Sequence, residues 1–312
     1  MLVGILVLAL WVPYNVSLGT LTDLVNLFVL VILGTTWNLL AGYGGMVSIG
    51  QQAFVGAGGY LAVYLGNKAG LPVALLLVLA AVLSALLALP TSFATFRLVG
   101  GYFAIGTWVI AEIFKLLTTQ IDALGGGSGL SLTIFRGVNR VDRIALVYWT
   151  ALVATVLVVV LTYAIMRSSL GLALTAIRDD EVAASSLGVE VRRVQRVVYV
   201  AASAGAGLAG GLIAFSALNV TPGSAFSVSL TASMIFIVVI GGLGTIEGPI
   251  LGAVVYFALQ QWLAPYGTWY LIVLGVVAVL AVLTLPRGLW GLISRQGRVQ
   301  LFSVGYRLDE PK

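Results

Sequence analysis

Apolar runs of about twenty residues recur along this chain, which is the length a helix needs to cross a hydrocarbon core about 30 Å thick. The chain is 60% hydrophobic and only 9% charged, and its mean hydropathy is +1.10. That is more apolar surface than a soluble domain can hide. Continuous runs, rather than the inside/outside alternation of an outer-membrane barrel, make helices the expected element. The expected fold is therefore an all-α integral membrane protein, a polytopic bundle of about 8–10 transmembrane helices, several of them short or broken. About ten apolar segments are read, near residues 1–12, 22–41, 47–66, 72–92, 98–119, 144–166, 197–218, 228–246, 249–265 and 268–286. The opening run, Leu2–Val12, lacks the basic start and small-residue cleavage site of a signal peptide and is read as a clipped first helix.

One polar stretch interrupts this pattern. Between residues 167 and 196 stand Arg167, Arg178, Arg192, Arg193 and Arg196, beside Asp179, Asp180, Glu181 and Glu190. Such a segment lies outside the bilayer, and its arginines favour the cytoplasmic side. The tail, with Arg287, Arg295, Arg298, Arg307 and Lys312, follows four more apolar segments, an even number that puts it on the same side. Arg97 falls inside on the same count. The loop 121–143 then lies outside, although it carries Arg136, Arg140 and Arg143. The expected organisation is a transmembrane domain over residues 1–290, with a cytoplasmic loop at 167–196, and a short polar cytoplasmic tail at 291–312.

Composition excludes much chemistry. The sequence contains no Cys and no His, which removes thiol nucleophiles, disulfides, imidazole bases and the usual transition-metal ligands, so no metal site is expected. The net charge of +5 resides in loops and tail, matching contact with anionic lipid rather than nucleic acid. No G-x-x-x-x-G-K-[ST] phosphate loop occurs, so no cofactor is expected on this chain and no ATP site of its own. A membrane enzyme would require a catalytic constellation that these residue types do not supply.

Four local patterns remain. Between two apolar runs, GYGGMVSIGQQAF at 42–54 brings Gly44 and Gly45 for tight turns and Ser48, Gln51 and Gln52 as polar groups at membrane depth. It reads either as a broken helix lining a polar path or as small-residue helix packing. Glu112 and Lys115 share a helix face inside an apolar stretch. Unpaired, each would cost on the order of 2.5–3.5 kcal/mol in hydrocarbon. The simpler reading is a structural pair near a helix end with Lys115 reaching toward the interface; the sharper one is a pathway or gating residue. Arg178-Asp179-Asp180-Glu181 opens a short helix that stops at Leu187-Gly188, with Val182, Ala183, Ser186 and Leu187 sharing part of one face. This is either a docking element or a solvated loop helix. GGLGTIEGP at 241–249 breaks two further apolar runs at Gly241, Gly242 and Gly244. The glycine run 125–129 lacks the lysine of a phosphate loop and is read as a flexible external loop.

In order, GYGGMVSIGQQAFVGAGGY at 42–60, YFAIGTWVIAEIFKLL at 102–117, SLGLALTAIRDDEVAASSLGVEV at 169–191 and GGLGTIEGPILGA at 241–253 carry a resemblance that spans nearly the whole chain. The sequence resembles the M-type permease subunit of branched-chain amino acid ABC importers. The resemblance implies a second, H-type permease, two cytoplasmic ATP-binding subunits that bind the ATP, and a periplasmic or lipid-anchored solute-binding protein. It also implies a bacterial inner-membrane location and an ATPase contact through Arg178, Asp179, Asp180, Glu181, Leu187 and Gly188. Ser48, Gln51 and Gln52 would then lie near the translocation path. Family members often carry His where Gln51 stands, so proton chemistry is not expected there. The alternatives are a urea or short-amide importer permease of the same family, or a stand-alone secondary transporter or channel, which would usually show paired intramembrane acids.

Overall fold

The computed structural model describes Pro13 and residues 16–263, 269–284 and 288–294. The opening run 1–12 and the tail beyond residue 294 lie outside the described residues. Helix α1, Leu18–Asn38, begins where Ser17 accepts a hydrogen bond from the Thr20 amide, and it runs on into a π-turn over Leu39–Tyr43. Then come α2 (Gln52–Ala69), α3 (Val73–Thr95), α4 (Gly101–Gln120), a two-residue strand β1 (Leu130–Ser131) and α5 (Arg140–Arg167). The charged segment forms α6 (Ser169–Asp179) and α7 (Glu181–Ser186). It is followed by α8 (Val191–Ala217), β2 (Asn219–Val220), the single turn α9 (Pro222–Ala225), α10 (Val228–Gly241), α11 (Glu247–Leu263), α12 (Trp269–Thr284) and α13 (Gly288–Ser294).

Among the described residues, six helices are long and apolar enough to cross a membrane: Leu18–Tyr43, Val73–Thr95, Gly101–Gln120, Arg140–Arg167, Val191–Ala217 and Pro222–Gly241. The chain is a multi-pass, all-helical membrane bundle. Its remaining helices are shorter. Of them, α2 is the core piece, clamped between α3 and α8.

The α2–α8 crossing explains the glycines of both helices. A Cβ on Gly58 would strike the Gly207 carbonyl, and one on Gly210 would strike the Val55 carbonyl. The two backbones therefore touch directly, which maximises dispersion where lipid gives no hydrophobic drive. On the other side of α2, Ser84 of α3 donates to the Phe54 carbonyl at 3.1 Å. Tyr199 of α8 closes the layer with edge-on contacts to Phe54 and Phe96, at 5.6 and 5.4 Å between ring centroids.

The bundle has two distinguishable ends. At one, residues 44–47, 98–101 and 177–181 meet around a cavity of about 530 Å³, and Gly288 packs on Gly242. At the other, β1 pairs antiparallel with β2. There the Asn67 amide nitrogen donates to the Ser131 carbonyl at 2.8 Å, and its oxygen accepts from the Thr133 amide at 2.7 Å. The glycine run 125–129, expected to be a flexible external loop, leads directly into this strand pair. Gly125, Gly126, Gly127 and Gly129 all take positive φ, and the strand pair and Asn67 hold the segment that follows.

Candidate translocation and coupling site

The helix breaks expected from the glycine patterns are present, and the reason they are tolerated is visible. After the π-turn at Leu39–Tyr43, capped by Gly44, the chain runs non-helically through residues 45–51 before α2 starts. Gly45 takes φ +67°, a conformation open to glycine at little cost. The stretch climbs from the end near Arg178 to the middle of α4, where Gly50 lies so close to the Thr107 carbonyl that a Cβ would collide with it. Irregular backbone at membrane depth must find partners inside the protein. It does: Trp37 donates its indole N–H to the Ser48 carbonyl at 2.8 Å, the Ile49 amide donates to Thr107 Oγ1 at 3.1 Å, and the Met46 amide donates to the Leu40 carbonyl at 3.0 Å.

The polar residues of this break are sealed inside. Ser48, Gln51 and Gln52 are buried. Ser48 Oγ accepts from the Gly50 amide at 3.3 Å, and Gln52 Oε1 accepts from the Thr231 hydroxyl of α10. Gln51 Nε2 and Oε1 and Gln52 Nε2 are buried without a hydrogen-bond partner among the described residues. Unpaired buried amides are expensive, which sets this cluster apart from the otherwise paired polar groups of the break.

The second break joins the first. The helix α10 ends at Gly241; Gly242 and Gly244 take φ +132° and +73°, and α11 starts at the buried Glu247. Close approach of Gly241 to Gly248 and of Gly252 to Ile237 seats the two short helices as a hairpin. Asn38, 1% exposed at the end of α1, binds this turn with both halves of its amide. Nδ2 donates to the Thr245 carbonyl at 2.8 Å, and Oδ1 accepts from the Gly244 amide at 2.9 Å. Asn38 was not singled out from the sequence, although a lone amide inside the apolar run 22–41 is a usable signal.

Arg178 ties both breaks to the charged segment. Its Nη1 donates to the Gly42 carbonyl at 3.0 Å and lies beside Gly244, while its stem packs on Gly45. The sequence reading placed Arg178 and Asp179 at the opening of the short helix; they instead close α6, with Asp179 Oδ1 accepting from Arg178 Nε and Nη2 at 3.0 and 2.9 Å. The break falls one residue later because Asp180 adopts extended backbone and caps α7, accepting from the Val182 and Ala183 amides at 2.9 Å each. Beyond it, Glu181 lies in the first turn, and Val182 and Leu187 stand 76% and 85% exposed. Gly188 follows with φ +87° and ends the helix.

Glu112 and Lys115 are 2.8 Å apart on α4, with side chains 45% and 35% exposed. They sit apart from the cluster of Ser48, Gln51 and Gln52, toward the outward face of the helix.

A sequence profile described as branched-chain amino acid transport system / permease component matches residues 19–282. The chain belongs to this permease family. The high-affinity branched-chain amino acid transport system permease protein LivM of Escherichia coli (strain K12) is 30% identical over 314 residues, covering 92% of this chain and 74% of that protein. LivM of Salmonella typhimurium (strain LT2) is likewise 30% identical over the same shares. No solved structure matches the chain. In the structure Asn38 joins the two buried breaks to each other, and Arg178 joins the first of them to the charged segment.

Proposed function

We propose that this permease is the M-type subunit of an ATP-driven importer in a bacterial inner membrane. With a second, H-type permease it forms the path for branched-chain amino acids. Two cytoplasmic ATP-binding subunits dock on the 167–196 segment, and a solute-binding protein delivers substrate from outside. The observation that carries this reading is α7. It is a short helix that exposes Val182 and Leu187 to solvent, next to an arginine that holds the Gly42 carbonyl. Exposed apolar side chains on a rigid, capped helix suit a groove in a partner, and Arg178 gives that partner's movement a direct route to the helix breaks.

In this mechanism ATP closes the ATPase pair, α6 and α7 move with it, and Arg178 and Asn38 pull the two glycine breaks together. The breaks are hinge points, and the buried amides of Gln51 and Gln52 gain partners as the helices beside them shift. Coupling of this kind requires that each state bind ATPase and substrate differently. The test is a pull-down of the tagged chain from native membranes, with mass spectrometry and an ATPase assay. A second permease, two ATPases and a solute-binding protein are the expected partners. The V182D/L187D variant is expected to lose the ATPases by about tenfold or more, since central apolar contacts each contribute over about 1 kcal/mol. A homo-oligomer without ATPase overturns the reading.

A further inference from the structure

The structure assigns the outward face of α4 to the water-filled translocation path, with Glu112 and Lys115 as the contact for the charged ends of an apolar zwitterion. The inference rests on the importer reading above and adds the place where substrate is met.

Position along the helix comes first. Glu112 lies about 16 Å from the start of α4 at about 1.5 Å per residue, close to the middle of a core about 30 Å thick. It is not at a helix end, and Lys115 turns its ammonium back to Glu112 at 2.8 Å rather than toward the nearer end of the helix. Direction comes second. The inner face of α4 is Phe103, Thr107 and Ala111, all buried. The opposite face is Ile105, Val109, Ile113 and Leu116, each about half exposed, and Glu112 falls among them at helical spacing. Only 17% of this span is buried in the bundle, the least of the six.

A charge pair at mid-depth facing outward is costly against hydrocarbon, and such residues face a bundle interior or water. Burial against a dry protein surface would desolvate both charges. A water-filled path removes both penalties. The chemistry of the face then selects the solute. The acid and the amine are 2.8 Å apart, comparable to the spacing of ammonium and carboxylate across a free amino acid's Cα, given standard backbone bond lengths. Antiparallel pairing places the substrate ammonium on Glu112 and its carboxylate on Lys115. The branched side chain lies along Val109, Ile113 or Leu116.

The experiment uses the complete importer in proteoliposomes. The chain has no cysteine, so V109C and L116C on α4, and V82C on the exposed face of α3, each introduce a single thiol into it. A membrane-impermeant maleimide is expected to label V109C and L116C in at least one nucleotide state, more slowly when leucine and loaded binding protein are present, and to leave V82C unlabelled. The E112Q variant is expected to raise the KM for leucine uptake by about tenfold or more, the size of one lost charge-assisted contact. The exchanged pair, E112K/K115E, keeps the helix self-neutralised, so a purely structural role predicts normal uptake and the path role predicts its loss. Unlabelled α4 thiols, or normal uptake by the exchanged pair, overturn the inference while leaving the importer reading intact. Failure of the unsubstituted complex to hydrolyse ATP in response to loaded binding protein overturns the importer reading and this inference with it.

Discussion

Replacing Arg178 by Met separates a docking residue from a transmitting one. The Met side chain keeps an aliphatic stem against Gly45, where the arginine stem now packs, and removes only the guanidinium. What is lost is one hydrogen bond from a charged donor to the Gly42 carbonyl, 3.0 Å long. Bonds of this kind contribute about 1.5–3 kcal/mol. The Arg178 side chain is 38% exposed, so solvent screening puts the effect at the low end, about 1.5 kcal/mol. That corresponds to about a tenfold weaker bias between states in which α6 and the α1 break move together. Asp179 loses its partner as well, but it is 69% exposed and stays solvated. The assay measures ATP hydrolysis and amino acid uptake side by side in proteoliposomes holding the whole importer. The expected result is a fall of about tenfold in substrate carried per ATP, with the ATPases still co-purifying because Val182 and Leu187 are untouched. Loss of the ATPases on pull-down would mean that Arg178 is itself a docking contact, and unchanged uptake per ATP would mean that the Gly42 bond transmits nothing.

Two further outcomes follow from the packing. Asn38→Ala leaves the Gly244 amide and the Thr245 carbonyl without their buried partner, at about 2 kcal/mol or more together, so hydrogen exchange across residues 242–248 is expected to quicken by about thirtyfold; unchanged exchange would show that the turn is held by other contacts. Gly210→Ala drives a methyl group into the Val55 carbonyl, an overpacking cost of about 3 kcal/mol because backbone cannot swing aside, and thermal unfolding in detergent is expected about 5 °C lower or more; an unaltered midpoint would refute direct backbone contact between α2 and α8.

Much of this was legible in the sequence. The glycine clusters at 42–50 and 241–248 announce breaks because few other residues tolerate the turns they make, and Asp180 with Gly188 brackets a short helix for local reasons of capping. The apolar runs locate the spans to within several residues. Less legible was where the helices face. The span 98–119 carries Glu112 and Lys115 on one face, but a charged face on a membrane helix does not say which neighbour it meets, so the sequence left open that α4 would be the span least covered by the bundle.

The sequence by itself determined that the chain is a helical membrane protein, where its helices fail, and that a charged, capped element protrudes from it. These follow from interactions within a few residues, namely hydrophobic length, turn conformation and caps. Only the tertiary structure decided that Asn38 holds Gly244 and Thr245 across more than 200 positions, that Arg178 reaches back 136 positions to Gly42, and that Thr231 meets Gln52. Each of these joins a lone polar side chain to a backbone or side-chain group left over by a distant helix. Inside an apolar bundle an unpaired polar group is costly, and whether it finds a partner, as Asn38 does and the Gln51 amide does not among the described residues, depends on how the helices cross.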